Sequence, residues 1–178
     1  LKVLQQYRIP FTGLKPGKHH FDFDVDDRFF DAYEHSIVKK GRLKVAVILE
    51  KQETLIIAWT HIEGTVALTC DVCLNEFEAA TAIDERLIFK YTADEELADA
   101  SEEIVVLTKN VVEIDMAEPI YEYINLAVPF YKRCTEQGNS ACDASMLKFI
   151  DTLSSQDQQE NKQEMDPRWD ALKRIYKQ

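Results

Sequence analysis

Apolar residues recur along this chain with two periods, and their switches mark the elements. From Leu43 to Glu50, Leu43, Val45, Val47 and Leu49 alternate with Lys44 and Glu50, the period-two pattern of a half-buried strand. A tight turn over 51–54 leads to Leu55–Glu63, apolar on both faces apart from Thr60 and His61, as a central strand would be. Gly64 permits a bend or bulge before Val66 and Leu68. From Phe77 to Tyr91 the odd positions carry Phe77, Ala79, Ile83, Leu87, Phe89 and Tyr91, and the even ones Glu78, Asp84, Arg86 and Lys90, which predicts a long amphipathic strand. Between these strands lie Cys70 and Cys73, so the two form a hairpin with the cysteine pair at its tip.

Helical spacing is confined to shorter segments. Before the hairpin, two short strands flank a turn at Gly13, Pro16 and Gly17, and a helix starts near Asp26 with Phe29, Phe30 and Tyr33 on one buried face. After it, acidic residues 94–103 read as an exposed loop or short helix, and 104–107 as a short strand. Asp115 with Glu118 three residues on has the spacing of a capping box; Met116, Ile120, Ile124 and Ala127 repeat behind it, and Pro129 closes the helix. A short helix is expected after Cys142, with Met146, Leu147 and Ile150 on one side. Residues 152–165 are almost wholly polar and predict a flexible linker. Asp166 and Pro167 then open a last amphipathic helix striped by Trp169, Leu172 and Tyr176. The pattern therefore predicts an α+β fold: an antiparallel sheet built around a long hairpin with helices on one side over 1–151, a linker over 152–165, and a tethered C-terminal helix over 166–178.

Composition narrows the class. The 178 residues suffice for one domain with a sizeable core. No stretch approaches the roughly 20 apolar residues that span a bilayer, and the start, LKVLQQYRIP, lacks the apolar run of a secretory signal; a cytoplasmic location is expected. A formal charge of −11 opposes generic affinity for phosphate backbones and favours basic partners, although it also serves plain solubility. Locally basic exceptions are Lys39, Lys40, Arg42 and Lys44, and separately Lys173, Arg174 and Lys177.

Four cysteines in a reduced compartment are not a disulfide framework. Cys70-Asp71-Val72-Cys73 lets two thiolates approach one tetrahedral ion, but alone it is half a site. Cys134 and Cys142 have residues 135–141 between them, wider than the two to four typical of zinc knuckles, so spacing leaves zinc level with two ordinary thiols at a hairpin tip. Redox catalysis needs a strand-to-helix context, and the flanks here read as strands. His19, His20, His35 and His61 lack the helical pair spacing of a zinc hydrolase, and phosphate-cradling glycine motifs are absent. The chain is read as a non-enzyme with no small-molecule substrate. Two roles stand open for Trp169: an anchor of the last helix onto its own domain, or, with Arg168, Leu172, Lys173 and Arg174, a docking segment for a partner.

Three signatures, in this order, carry a resemblance: Cys70-Asp71-Val72-Cys73-Leu74; Glu113-Ile114-Asp115 leading to Ile124, Leu126 and Pro129; and Asp166-Pro167-Arg168-Trp169 with Leu172. Together they resemble the YceD family, the large ribosomal RNA subunit accumulation proteins. The resemblance implies a cytoplasmic factor that large-subunit ribosomal RNA requires to accumulate, acting by binding in assembly or protection. The expected partner is a ribosomal precursor, either a basic ribosomal protein or large-subunit rRNA. Many members carry a basic residue within the C-x-x-C and a denser second cysteine cluster, whereas Asp71 and Val72 fill the first gap here and only Cys134 and Cys142 remain in the second. Four thiols in two pairs still complete a tetrahedral zinc site. The alternative is a structural zinc-binding interaction module with no direct ribosomal role.

Overall fold

The computed structural model describes residues 3–91, 104–108, 110–138 and 141–160, with only the backbone of 155–160. The α+β architecture rests on a five-stranded sheet and a small two-stranded one. In chain order the elements are β1 (Arg8–Pro10), β2 (Gly17–Val25), α1 (Asp27–Asp31), β3 (Gly41–Lys51), β4 (Leu55–Thr69), β5 (Glu76–Tyr91), β6 (Ile104–Leu107), β7 (Glu113–Asp115), α2 (Ala117–Leu126) and α3 (Ala144–Glu160). The large sheet runs β2-β3-β4-β5-β6, and β1 pairs antiparallel with β7.

β2 to β5 form successive antiparallel hairpins, the longest being β4–β5, which pairs Leu55 with Lys90 and Thr69 with Glu76. Alternation sends Val45, Val47 and Leu49 to one face, where Ile56, Ala58, Ile62, Leu87 and Phe89 join them in the core. The same core holds Phe29 and Phe30 of α1 and Ile120 and Ile124 of α2, each at 0% or 1% exposure. Burial of each such side chain contributes about 1.5–3 kcal/mol, so this layer dominates stability. Tyr33, just past α1, stacks on Tyr121 of α2 at 3.9 Å between ring centroids.

The last strand departs from the expected antiparallel sheet, because β6 runs parallel to β5, pairing Ile88 with Ile104. A parallel neighbour needs a crossover rather than a tight turn; residues 92–103, expected as an exposed loop or short helix over 94–103, lie outside the described residues. The sheet is therefore mixed. Gly64 makes no bulge: the register with both neighbours is unbroken, and Ile62 and Val66 are both buried.

Asp115 does not open α2 as a capping-box residue. It ends β7, opposite Arg8, and its Oδ1 accepts from the Ala117 N–H at 3.0 Å, while Met116 stands at the N-cap without a side-chain cap. The helix after Cys142 is longer than its apolar residues alone suggest, running on to Glu160 across the first part of the polar segment expected as a linker. Ser, Gln, Asp and Glu are compatible with helical backbone where a turn has already formed upstream. The remainder of that segment, and the expected helix at 166–178, lie outside the described residues.

Candidate metal centre

The tip of the β4–β5 hairpin turns through Cys70-Asp71-Val72-Cys73-Leu74-Asn75. The Cys70 N–H donates to the Asn75 carbonyl at 2.9 Å, and the Leu74 N–H donates to the Cys70 carbonyl at 2.9 Å. Leu74 has φ of 60°, a left-handed conformation that side chains rarely adopt, and it is exposed. This knuckle directs both thiols inward: Cys70 is 0% and Cys73 3% exposed.

The other two cysteines arrive on the segment between α2 and α3. A turn there is closed by the Glu136 and Gln137 N–H groups, which donate to the Arg133 carbonyl, and by the Gln137 Oε1, which accepts from the Arg133 N–H at 2.6 Å. Gly138 is required for close approach: a Cβ at this position would lie 2.7 Å from the Phe77 ring and 2.8 Å from the Cys134 carbonyl oxygen. Asp143 follows Cys142 and starts α3, its carboxylate accepting from the Ser145 and Met146 N–H groups.

Asp71 fastens the two parts together. Its N–H donates to the Lys132 carbonyl at 2.8 Å, its Oδ2 accepts from the Lys132 N–H at 2.7 Å, and Lys132 Nζ lies 3.5 Å from Oδ1. The sequence pattern gave Asp71 no role, because its partners are backbone groups of a distant loop that no spacing predicts.

The four thiols meet. Cys70 and Cys142 Sγ are 3.8 Å apart, Cys73 and Cys134 3.8 Å, and Cys134 and Cys142 3.2 Å; every pair lies within 4.8 Å. Zinc with bonds of about 2.3 Å to four tetrahedral thiolates holds them about 3.8 Å apart, so the set fits that ion. Electrostatics suit a cation as well. Burial alone would raise the Cys70 thiol, but the backbone N–H groups of Cys73, Cys134 and Val72 outweigh it and bring it down to about 6. The Cys142 hydrogen bond pulls Cys134 down, yet burial and its contacts with Cys70 and Cys73 leave it raised. The Cys134 hydrogen bond and burial push Cys142 up to about 12. One thiolate, Cys70, is thus favoured beside the Cys134 and Cys142 thiols, whose protons a cation would displace.

Around the centre, Lys40 Nζ pairs with Glu76 at 3.2 Å, which partly neutralises the basic stretch read at Lys39–Lys44, and Lys39 Nζ donates to the Glu34 backbone carbonyl. Lys132 joins Lys39 and Lys40 along one small cavity, a convergence invisible in the sequence. Next to it Phe130 is fully exposed, and the Arg133 guanidinium lies 4.5 Å from the Tyr131 ring centroid. Arg168, Trp169, Leu172, Lys173 and Arg174 lie outside the described residues. Among the described residues, no helix is long and apolar enough to cross a membrane.

A family model described as large ribosomal RNA subunit accumulation protein YceD matches residues 59–175, from the central strand through the cysteine knuckle to the last segment. No curated protein and no solved structure matches the chain.

Proposed function

Because this chain belongs to the YceD family of large ribosomal RNA subunit accumulation proteins, we propose that it is a cytoplasmic ribosome biogenesis factor that supports accumulation of large-subunit rRNA by binding, not by catalysis. The observation that carries this reading is the family match across both cysteine pairs and the last segment. The cysteine cluster supports a non-catalytic role: four thiolates around one tetrahedral ion would complete its shell, with no position for water or substrate. Cys70, Cys73, Cys134 and Cys142 would hold zinc, which would supply a cross-link between the hairpin tip and the start of α3.

The partner favoured here is a basic ribosomal protein, shielded until it is assembled. A charge of −11 steers cations toward the surface, and the ion pair between Lys40 and Glu76 weakens the strongest local exception. Arg168, Trp169, Leu172, Lys173 and Arg174 supply an aromatic and cationic set of the kind that anchors an assembly partner. Direct contact of Lys39, Lys40, Arg42 and Lys44 with rRNA is the second reading, favoured by the addition of Lys132 to that surface.

Affinity capture of the full chain from a lysate, with and without nuclease, separates these. Retention of a basic ribosomal protein after nuclease supports the first. Recovery of large-subunit rRNA alone, with binding that falls steeply as salt rises, replaces it with the second. Absence of the protein from large-subunit precursors on sedimentation would overturn both and leave the zinc-bound interaction module.

A further inference from the structure

The large sheet ends on one side at β2, which pairs with β3 and, among the described residues, with no strand beyond it. Two bonds at the ends of β3 fix which backbone groups stand at that free edge. The Gln52 N–H donates to the Leu55 carbonyl and the Ala67 N–H to the Lys40 carbonyl, each at 2.9 Å, so even-numbered residues of β3 bond to β4 and odd-numbered ones to β2. Register sets Phe21 opposite Val47 and Phe23 opposite Val45, which leaves the N–H and C=O groups of Lys18, His20, Asp22 and Asp24 turned away from the ladder. Tyr7 agrees with this, since its Oη donates to the Asp24 carbonyl at 2.8 Å. Among the described residues, no backbone bond takes up the outward groups of Lys18, His20 or Asp22.

A free edge of 9 residues invites another strand unless something blunts it. Over Gly17–Val25 there is no proline and no bulge against β3. The charges along β2 change sign instead of repelling a like strand. Lys18 and His20 precede Phe21, and Asp22 and Asp24 follow it; all four flanking residues are exposed on the outer face, while Phe21 and Phe23 are half-buried at the margin of the core.

That order is antisymmetric about Phe21. Two copies of β2 laid antiparallel with Phe21 against Phe21 bring Lys18 opposite Asp24 and His20 opposite Asp22, each pair occurring twice. The facing residues are the ones whose backbone groups stand free, so they exchange N–H to C=O bonds, and Phe21 meets its counterpart at the closer, non-hydrogen-bonded position. Other registers lose the match. Centring on His20 sets Asp24 against Pro16, which has no N–H, and centring on Asp22 sets that carboxylate against itself.

We propose that this chain forms a two-fold symmetric dimer through antiparallel pairing of its β2 edges about Phe21, which joins two five-stranded sheets into one continuous sheet. Lys18 exchanges a 4.0 Å contact with Glu50 for Asp24 of the second copy, and Phe21 and Phe23 gain cover on the inner face. The dimer goes beyond the ribosomal reading, and its failure leaves that reading standing.

Sedimentation equilibrium of the untagged full chain should give about twice its 20.6 kDa. His20→Pro removes an N–H from the free edge and none from the β2–β3 ladder, so the mass should fall to that of one chain with unchanged far-ultraviolet dichroism. Lys18→Asp and Asp24→Lys each set like charges face to face and should weaken the dimer by roughly tenfold or more. The two substitutions combined in one chain should restore it. An equimolar mixture of the two single variants should also dimerise, because each supplies the charge that the other lacks. Should His20→Pro lose its dichroism, the charge exchange decides alone. A parent chain that stays monomeric up to its solubility limit would overturn the proposal. So would a dimer that survives a folded His20→Pro, or a mixture of the single variants that associates no more tightly than either one.

Discussion

At the scale of single residues, a few side chains determine what the site does, and their roles are testable one at a time. The hydrogen bond between His61 and Asp84, 2.7 Å long, is the leading cause that raises the imidazole pKa, with Glu63 adding to it. A group whose pKa is raised on folding contributes stability below its unfolded value near 6.5, and loses it as pH rises through the folded value. Asp84→Asn should therefore lower the His61 pKa followed by proton NMR, and remove the small gain of stability on the acidic side. Gly138 is a second such residue. Gly138→Ala must displace either the Phe77 ring or the Cys134 turn, so zinc affinity should fall while the strand signal persists, as read by metal titration beside circular dichroism. Little of this was legible in the sequence. The cysteines announced themselves as residue types, but Asp71 bonds to backbone groups of Lys132 and Gly138 matters only through what lies 3 Å away, and neither relation has a spacing signature.

At the scale of elements, period-two alternation gave β3, β4 and β5 nearly complete, because a strand with one buried face writes its burial into every second residue. It did not reach β7, which is three residues long and too short to establish a period, while β1, of the same length, was marked only by the turn that follows it. It also could not tell which way β6 runs, since parallel and antiparallel neighbours bury the same face. The special backbone at Gly64 was marked in the sequence by the glycine itself, and the need for it can be measured. φ is +152°, and a Cβ would lie 2.1 Å from the Arg42 carbonyl oxygen, backbone that cannot move without breaking the β3–β4 ladder. Gly64→Ala should destabilise the protein by on the order of 2–4 kcal/mol in denaturant unfolding. The cysteine centre behaves differently, for it joins the hairpin tip to the α2–α3 segment at the end of the buried core that takes in Cys70, Cys73 and Cys134, while Ile56 and Phe89 pair far from that tip. Chelation, or Cys134→Ser, should release residues 130–143 to limited proteolysis and abolish stoichiometric zinc, while the large sheet stays folded. Cooperative loss of the whole sheet on chelation would contradict this division.

At the scale of the whole molecule, charge and connectivity set the behaviour. A surface at −11 should make association with a basic partner weaken as ionic strength rises, and the association rate should fall more than the dissociation rate climbs. Stopped-flow binding at two salt concentrations checks this. The α+β class was legible from the alternation of patterns. The meeting of the cysteine pairs was not, since Cys73 and Cys134 stand 61 positions apart and only the packed fold brings their sulfurs to 3.8 Å. That separation also orders events in time. β3, β4 and β5 are joined by short loops and β2 by the α1 connection, so these sequence neighbours assemble early. The Arg8–Asp115 pairing, 107 positions apart, and the thiol cluster both wait for distant chain to be gathered in. Refolding traces with and without zinc should coincide through the fast phase and part only in the slow one, where the ion finds its ligands.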